Sequence, residues 1–297
     1  MNLQMKVIYK IEKIFLIINS TIILFSTIVF FFIFENHLIL LLGFFVEFFY
    51  LIIVLKDKFK RIKAIKMDFP DKWRKILNEN LSFYRAIKGE RKERFENDVK
   101  IFFSSYRIEG TEGKEIDESM KLIIAGAVAS MLNGHPEWEP PFRDSIVIYP
   151  SNTIDNEFNM NKGNITGMAP KTGPMIITEG GLKQSFFNKK DGYNVIYHEI
   201  AHFFDWEDGE AGGIPMTRIL PSKIERWRKI IHKEWSKVRK KPYLRSYAGT
   251  NEAEFFAVAT EYFFENPSLL KRDSPEVYEL LKDFYNLDTV NILNSKR

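Results

Sequence analysis

The stretch Val195-Ile196-Tyr197-His198-Glu199-Ile200-Ala201-His202-Phe203-Phe204 sets a His-Glu-x-x-His pattern inside an apolar run. Side chains four apart on an α-helix lie one turn above the other on one face, so His198 and His202 can reach a single metal ion. Glu199 follows the first histidine and sits near enough to act on water held at that ion. Tetrahedral zinc takes imidazole nitrogens as ligands, and hydrolysis needs a carboxylate base beside the open coordination position. The chain has only 5 histidines, and the accidental appearance of this spacing has a chance on the order of half a per cent.

Around this helix, 297 residues with 45% hydrophobic and 28% charged side chains suit one large domain, or a domain with an appendage. The apolar excess is concentrated before Lys56, and the remainder of the chain reads as a charge-rich domain. A net charge of +4 demands no nucleic-acid partner. Cysteine is absent, which excludes disulfides, thiolate metal sites and a cysteine nucleophile.

Ile14 to Phe34 is an uncharged apolar run of about 20 residues, the length that crosses the hydrocarbon core as a helix. Glu35-Asn36-His37 interrupts it, and Leu38 to Leu55 forms a second run broken by a single acid, Glu47. The expectation is a two-helix transmembrane hairpin with a basic juxtamembrane linker over residues 1–67. Lysines 6, 10 and 13 precede the hairpin, and Lys56, Lys58, Lys60, Arg61, Lys63 and Lys66 come after it, so both flanks belong on the cytoplasmic side. The chain is thereby expected to be a multi-pass membrane protein with its catalytic domain, residues 68–297, in the cytoplasm.

Within that domain, Trp73, Ile76, Leu77, Leu81 and Tyr84 recur at helical spacing. Asp117 is placed to cap a strongly apolar helix from Met120 to Leu132. Ser145 to Tyr149 and Met175 to Thr178 read as strands, the second closed by Gly180-Gly181. Met175, Ile176, Ile177 and Thr178 are the candidate substrate strand, an edge able to pair with an extended peptide. A helix from Pro221 carries aromatic core residues, and His232 on it is expected to face solvent. Thr250 to Asn266 is a further helix bearing Glu254 and Glu261.

Two histidines leave a hydrolytic zinc site one protein ligand short. Asp205, Glu254 and Glu261 are the candidates. Asp205 shares the helix and face of His198, where one straight helix wraps a tetrahedral ion poorly, so it reads with equal weight as a group orienting a histidine or as a helix-end acid satisfied by solvent or a turn. Glu254 has a rival role, since Asn251 three residues earlier makes a capping-box-like pattern. Glu261 lies about 10 Å further along the helix, so the two glutamates cannot share one ion. Spacing leaves the choice open.

From about Phe69 to Asp288 the chain resembles the Mlc titration factor A family of zinc metallopeptidases. The resemblance runs through His198-Glu199-Ile200-Ala201-His202-Phe203-Phe204-Asp205, Asp208-Gly209-Glu210-Ala211-Gly212-Gly213-Ile214-Pro215 and Tyr247-Ala248-Gly249-Thr250-Asn251-Glu252-Ala253-Glu254 into Phe255-Phe256-Ala257-Val258. Ser246 to Ala257 is also similar to the catalytic domain of anthrax lethal factor. This chain has Gly209-Glu210-Ala211-Gly212-Gly213 where the family pattern has Gly-x-Ala-(Asp/Asn)-Gly.

The resemblance implies an α+β, zincin-like metallopeptidase domain, mostly helical with a small sheet. It makes Glu254 the third ligand of one zinc ion, Glu199 the general base and Tyr247 the stabiliser of the oxyanion. The function expected is a membrane-anchored zinc peptidase acting on peptide or protein substrates through a metal-activated water. The family's name supplies an alternative of another class, a membrane-tethered module that sequesters a cytoplasmic regulatory protein. The lipid bilayer is the remaining expected partner.

Overall fold

Among the described residues, helices supply most of the secondary structure, and one four-stranded mixed sheet completes it. The computed structural model describes residues 3–111, 113, 115–142, 145–150, 166–170, 173–187, 191–240 and 243–294. Contacts divide the chain into Met1–Asp68 and Phe69–Arg297.

The first unit is a pair of helices, α1 (Leu3–Phe34) and α2 (His37–Lys66). Asn36 caps α2 by accepting from the Leu38 backbone N–H at 2.9 Å. The helices approach closely at Gly43, where a Cβ would lie 2.3 Å from Thr27 Cγ2. Ile17–Phe34 is long and apolar enough to cross a membrane, whereas the apolar part of α2, His37–Ile53, is shorter. The basic segment expected as a linker is instead helical, because α2 runs unbroken to Lys66.

The second unit begins with α3 (Asp71–Asn80), α4 (Ser82–Ala86), α5 (Glu90–Ser105) and β1 (Arg107–Gly110). The single helix expected through Tyr84 breaks at Leu81, whose extended backbone separates α3 from α4. Helix α6 (Glu118–Leu132) starts as read, with Asp117 accepting from Met120 N at 2.7 Å. Its small residues allow close packing: a Cβ on Gly126 would fall 2.3 Å from Leu81 Cδ1 and 2.8 Å from Leu77 Cδ2.

The sheet contains β1, β2 (Ser145–Tyr149), β3 (Gly167–Met168) and β4 (Met175–Thr178) in the order β1-β2-β4-β3. β1, β2 and β4 are parallel, and β3 runs antiparallel to β4. β4 is therefore not an edge, because it pairs with β2 on one side and β3 on the other. All four of its residues are buried, as suits an interior strand between parallel and antiparallel neighbours. Among the described residues the edge near it is β3, and residues 151–165 and 171 of the glycine- and asparagine-containing connection lie outside the described residues. Gly180 and Gly181 do not end β4 with a turn; they fall in α7 (Glu179–Phe187).

After α7 come α8 (Val195–Trp206), α9 (Pro221–Lys240), α10 (Glu252–Glu265), α11 (Pro267–Asp273), α12 (Pro275–Tyr285) and α13 (Thr289–Asn294). α10 packs directly on α8, and this pairing positions the site. Around it, Phe204, Phe255, Phe256, Phe263 and Tyr285 are fully buried, each contributing about 1.5–3 kcal/mol through removal of apolar surface from water.

Candidate metal centre

Asn194 opens α8: its side chain accepts from the backbone N–H groups of Ile196 and Tyr197 at 3.1 and 3.3 Å. The helix then presents His198 and His202 one turn apart, with their Nε2 atoms 3.1 Å from one another. Asn251 caps α10 by accepting from Glu254 N at 2.8 Å, which leaves the Glu254 side chain free to turn toward α8. Glu254 Oε2 lies 3.1 Å from His198 Nε2 and 3.4 Å from His202 Nε2. The capping pattern and the approach to the histidines are compatible because one uses the backbone of Glu254 and the other its carboxylate.

These three donors are a group that could hold a metal ion. Their separations of 3.1, 3.1 and 3.4 Å match the edge of a tetrahedron with metal–ligand bonds of about 2.0–2.1 Å, which is about 3.3 Å. Glu254 Oε2 is also buried without a hydrogen-bond partner among the described residues, an arrangement that a cation satisfies. Burial opposes charging of His198, yet the Glu254 and Glu261 carboxylates raise it to about 10. Glu254 is partly buried, which opposes its charge, and the two imidazoles nonetheless hold its carboxyl far below the usual range. The pocket thus favours positive charge between its three donors.

Glu199 is buried beside them. Burial pushes its carboxyl up to about 8, with Glu254 and Glu261 adding to the rise against the opposing pull of His198 and a hydrogen bond from the Ala169 backbone. Strand β3 presses on this side chain, since a Cβ on Gly167 would meet Glu199 Oε1 at 2.5 Å and Val195 Cγ2 at 2.5 Å. Tyr247 sits on a short 3-10 turn, Ser246–Gly249, with its ring centroid 5.8 Å from that of His198. Its phenol, raised by burial and by the nearby Glu254 and Glu199 carboxylates, stays protonated, while 46% of the residue faces solvent.

Glu261 and Asp205 have other surroundings. Glu261 Oε1 lies 2.9 Å from His198 Nδ1, behind the imidazole and away from the donor cluster. The role orienting a histidine thus belongs to Glu261, which sequence spacing left among the ligand candidates. Asp205 instead accepts from the backbone N–H groups of Gly213 and Ile214 at 2.9 and 2.6 Å. Both oxygens are spent on the turn after α8, and His202 Nδ1 is left without a hydrogen-bond partner among the described residues. Of the two readings of Asp205, the helix-end acid satisfied by a turn is the one observed, and the role orienting a histidine is corrected. Gly213 needs its positive φ of 69° there, and a Cβ would lie 2.4 Å from the Glu252 carbonyl oxygen. His232 is exposed, with Nδ1 2.6 Å from Glu252 Oε1. Arg245 was not legible as a site residue; its only sequence signal is its place two residues before Tyr247.

The sequence pattern of the family described as glucose-regulated metallo-peptidase M90 matches residues 56–286. The chain belongs to this family. The chain is similar to an uncharacterized protein of Synechocystis sp., 26% identical over 240 residues, which span 74% of this chain and 85% of the relative. Mlc titration factor A of Cronobacter sakazakii is 26% identical over 68% of this chain and 82% of its own length. The protein of the same name from Escherichia fergusonii is 27% identical over 62% and 74%. Membership in the M90 family implies a metal, and the His198, His202 and Glu254 group is where this chain can bind one.

Proposed function

We propose that this chain is a membrane-anchored, zinc-dependent peptidase that hydrolyses peptide bonds with Glu199 as general base. The observation that carries the reading is the convergence of three metal-binding donors beside a buried carboxylate that is not one of them. A purely structural metal site needs the donors and has no use for Glu199.

His198, His202 and Glu254 would hold the ion. When bound, zinc supplies Lewis-acid polarisation of the scissile carbonyl and lowers the pKa of water. Glu199 accepts a proton from the water that attacks the carbonyl carbon. It then delivers that proton to the departing amine nitrogen as the C–N bond breaks. Tyr247 donates a hydrogen bond to the oxygen on which negative charge develops, a role suited to a phenol that keeps its proton. An extended substrate would pair with the β3 edge, which adjoins Glu199, rather than with β4.

The apolar helices α1 and α2 would cross the bilayer as a hairpin, with lysines on both flanks holding the catalytic unit in the cytoplasm. A second reading, a tethered module that binds a regulatory protein, draws support from the name Mlc titration factor A carried by relatives. The two readings diverge on incubation of the detergent-solubilised chain with a broad peptide panel. The peptidase reading predicts cleavage that Glu254→Ala abolishes together with bound zinc. Bound zinc with no cleavage of any peptide would favour the binding module.

A further inference from the structure

His198 and His202 are held unequally. His202 Nδ1 has no hydrogen-bond partner among the described residues and its ring stacks on Trp206, whereas His198 is held by a hydrogen-bonding group. That holder is Glu261, a fully buried carboxylate. It accepts from Arg245 Nη2 and from the backbone N–H of Asn194, and it faces His198 Nδ1. Arg245 reaches further. Its Nε donates to the Gly192 carbonyl at 3.0 Å, and its guanidinium lies 4.9 Å from the centre of the Tyr193 ring. Tyr193 in turn meets Thr166 Oγ1 at 2.8 Å, one residue before the β3 edge. The Arg245 carbonyl accepts from Ala248 N at 3.0 Å, closing the turn that carries Tyr247.

We infer that Arg245 is a positioning residue that couples metal binding at His198 to the placement of the Tyr247 turn, acting through Glu261. A guanidinium suits this because its planar fork can bond a carboxylate and a carbonyl at once. With Arg245 removed, Glu261 keeps its burial but loses its charged partner, and both the imidazole and the turn lose a common anchor. The inference rests on the peptidase reading only in taking zinc as the ion, so it is tested by binding and exchange rather than by turnover.

The experiment measures zinc affinity of the full chain in detergent by competition with a chromogenic chelator. Backbone hydrogen exchange over residues 246–250 is followed with and without zinc. Arg245→Met is expected to weaken zinc binding roughly 10–100-fold, the usual effect of losing a group that orients a ligand. Zinc should slow exchange of the Tyr247 turn in the wild type and leave it unchanged in Arg245→Met. If Arg245→Met does not fold, Arg245→Gln keeps a polar side chain but removes the charged fork that reaches both Glu261 and the Gly192 carbonyl, and it should likewise abolish the zinc-dependent protection. An ordinary structural ion pair would lower thermal stability without altering either readout. Wild-type zinc affinity in the variant, or equal zinc protection of the turn, overturns the inference. A wild type that binds zinc but cleaves no peptide defeats the peptidase reading alone, and the affinities still decide the role of Arg245.

Discussion

Glu254 and Glu261 touch opposite nitrogens of the same imidazole, and that arrangement explains why spacing could not rank them. The His-Glu-x-x-His face was legible because helical periodicity alone sets it. The choice between two acids on another helix depends on how α10 packs against α8, a contact between residues more than fifty positions apart. Another acid on α10 yields a prediction of its own. Glu265 Oε1 accepts from Asn194 Nδ2 at 3.0 Å, while its Oε2 is buried without a partner among the described residues. Burial pushes this carboxyl up to about 9. The folded chain therefore retains a proton that the unfolded chain releases near its ordinary value, and this group lowers stability progressively as pH rises between about 4.5 and about 9. Glu265→Gln keeps an acceptor for Asn194 and removes the titration. Its stability relative to wild type should rise across that window by up to about 1.4 kcal/mol per pH unit, read from urea unfolding. A difference that does not change with pH would mean that Glu265 is ionised in the folded chain.

Elements place the site through contacts that a sequence scan sees poorly. β4 was legible as a strand from its apolar residues, but its edge status was not, because its outer partner is the two-residue β3 in a polar connection. β1 was missed altogether, since Arg107-Ile108-Glu109-Gly110 is short, charged and half exposed. The approach of β3 to Glu199 makes Gly167→Ala a selective lesion. The added Cβ would fall 2.5 Å from Glu199 Oε1 and must displace that side chain or Val195. Zinc content should stay at the wild-type level while hydrolysis falls about tenfold or more, as expected for misplacing a general base. Lost zinc would show that β3 supports the metal donors instead. The turn after α8 offers the complementary case. Asp205→Ala leaves two buried N–H groups without their acceptor and should destabilise the chain by about 1–3 kcal/mol, measured by denaturant unfolding. Its zinc stoichiometry should be unchanged, whereas a role in orienting His202 would lower it.

At the level of the whole molecule, the two-unit organisation arises from composition: apolar surface exposed along α1 and α2, and a buried aromatic core in Phe69–Arg297. The helical first unit was legible in its apolar runs, while the continuation of α2 through the basic segment was not, because a lysine-rich flank of an apolar run reads equally as a headgroup-facing linker or as the last turns of the helix, where Lys63 and Lys66 suit the helix dipole. Two buried acids, Glu199 and Glu261, gather beside the partly buried Glu254 at the donor cluster, and a divalent cation would offset their mutual repulsion. The most direct test of the central claim is zinc content and peptide hydrolysis measured on the same preparations of wild type and Glu199→Gln. The account predicts about one zinc per chain in both, hydrolysis in the wild type that a chelator removes and zinc restores, and a loss of about 10²–10⁴-fold in the variant. Hydrolysis that survives either Glu199→Gln or complete removal of zinc would contradict it.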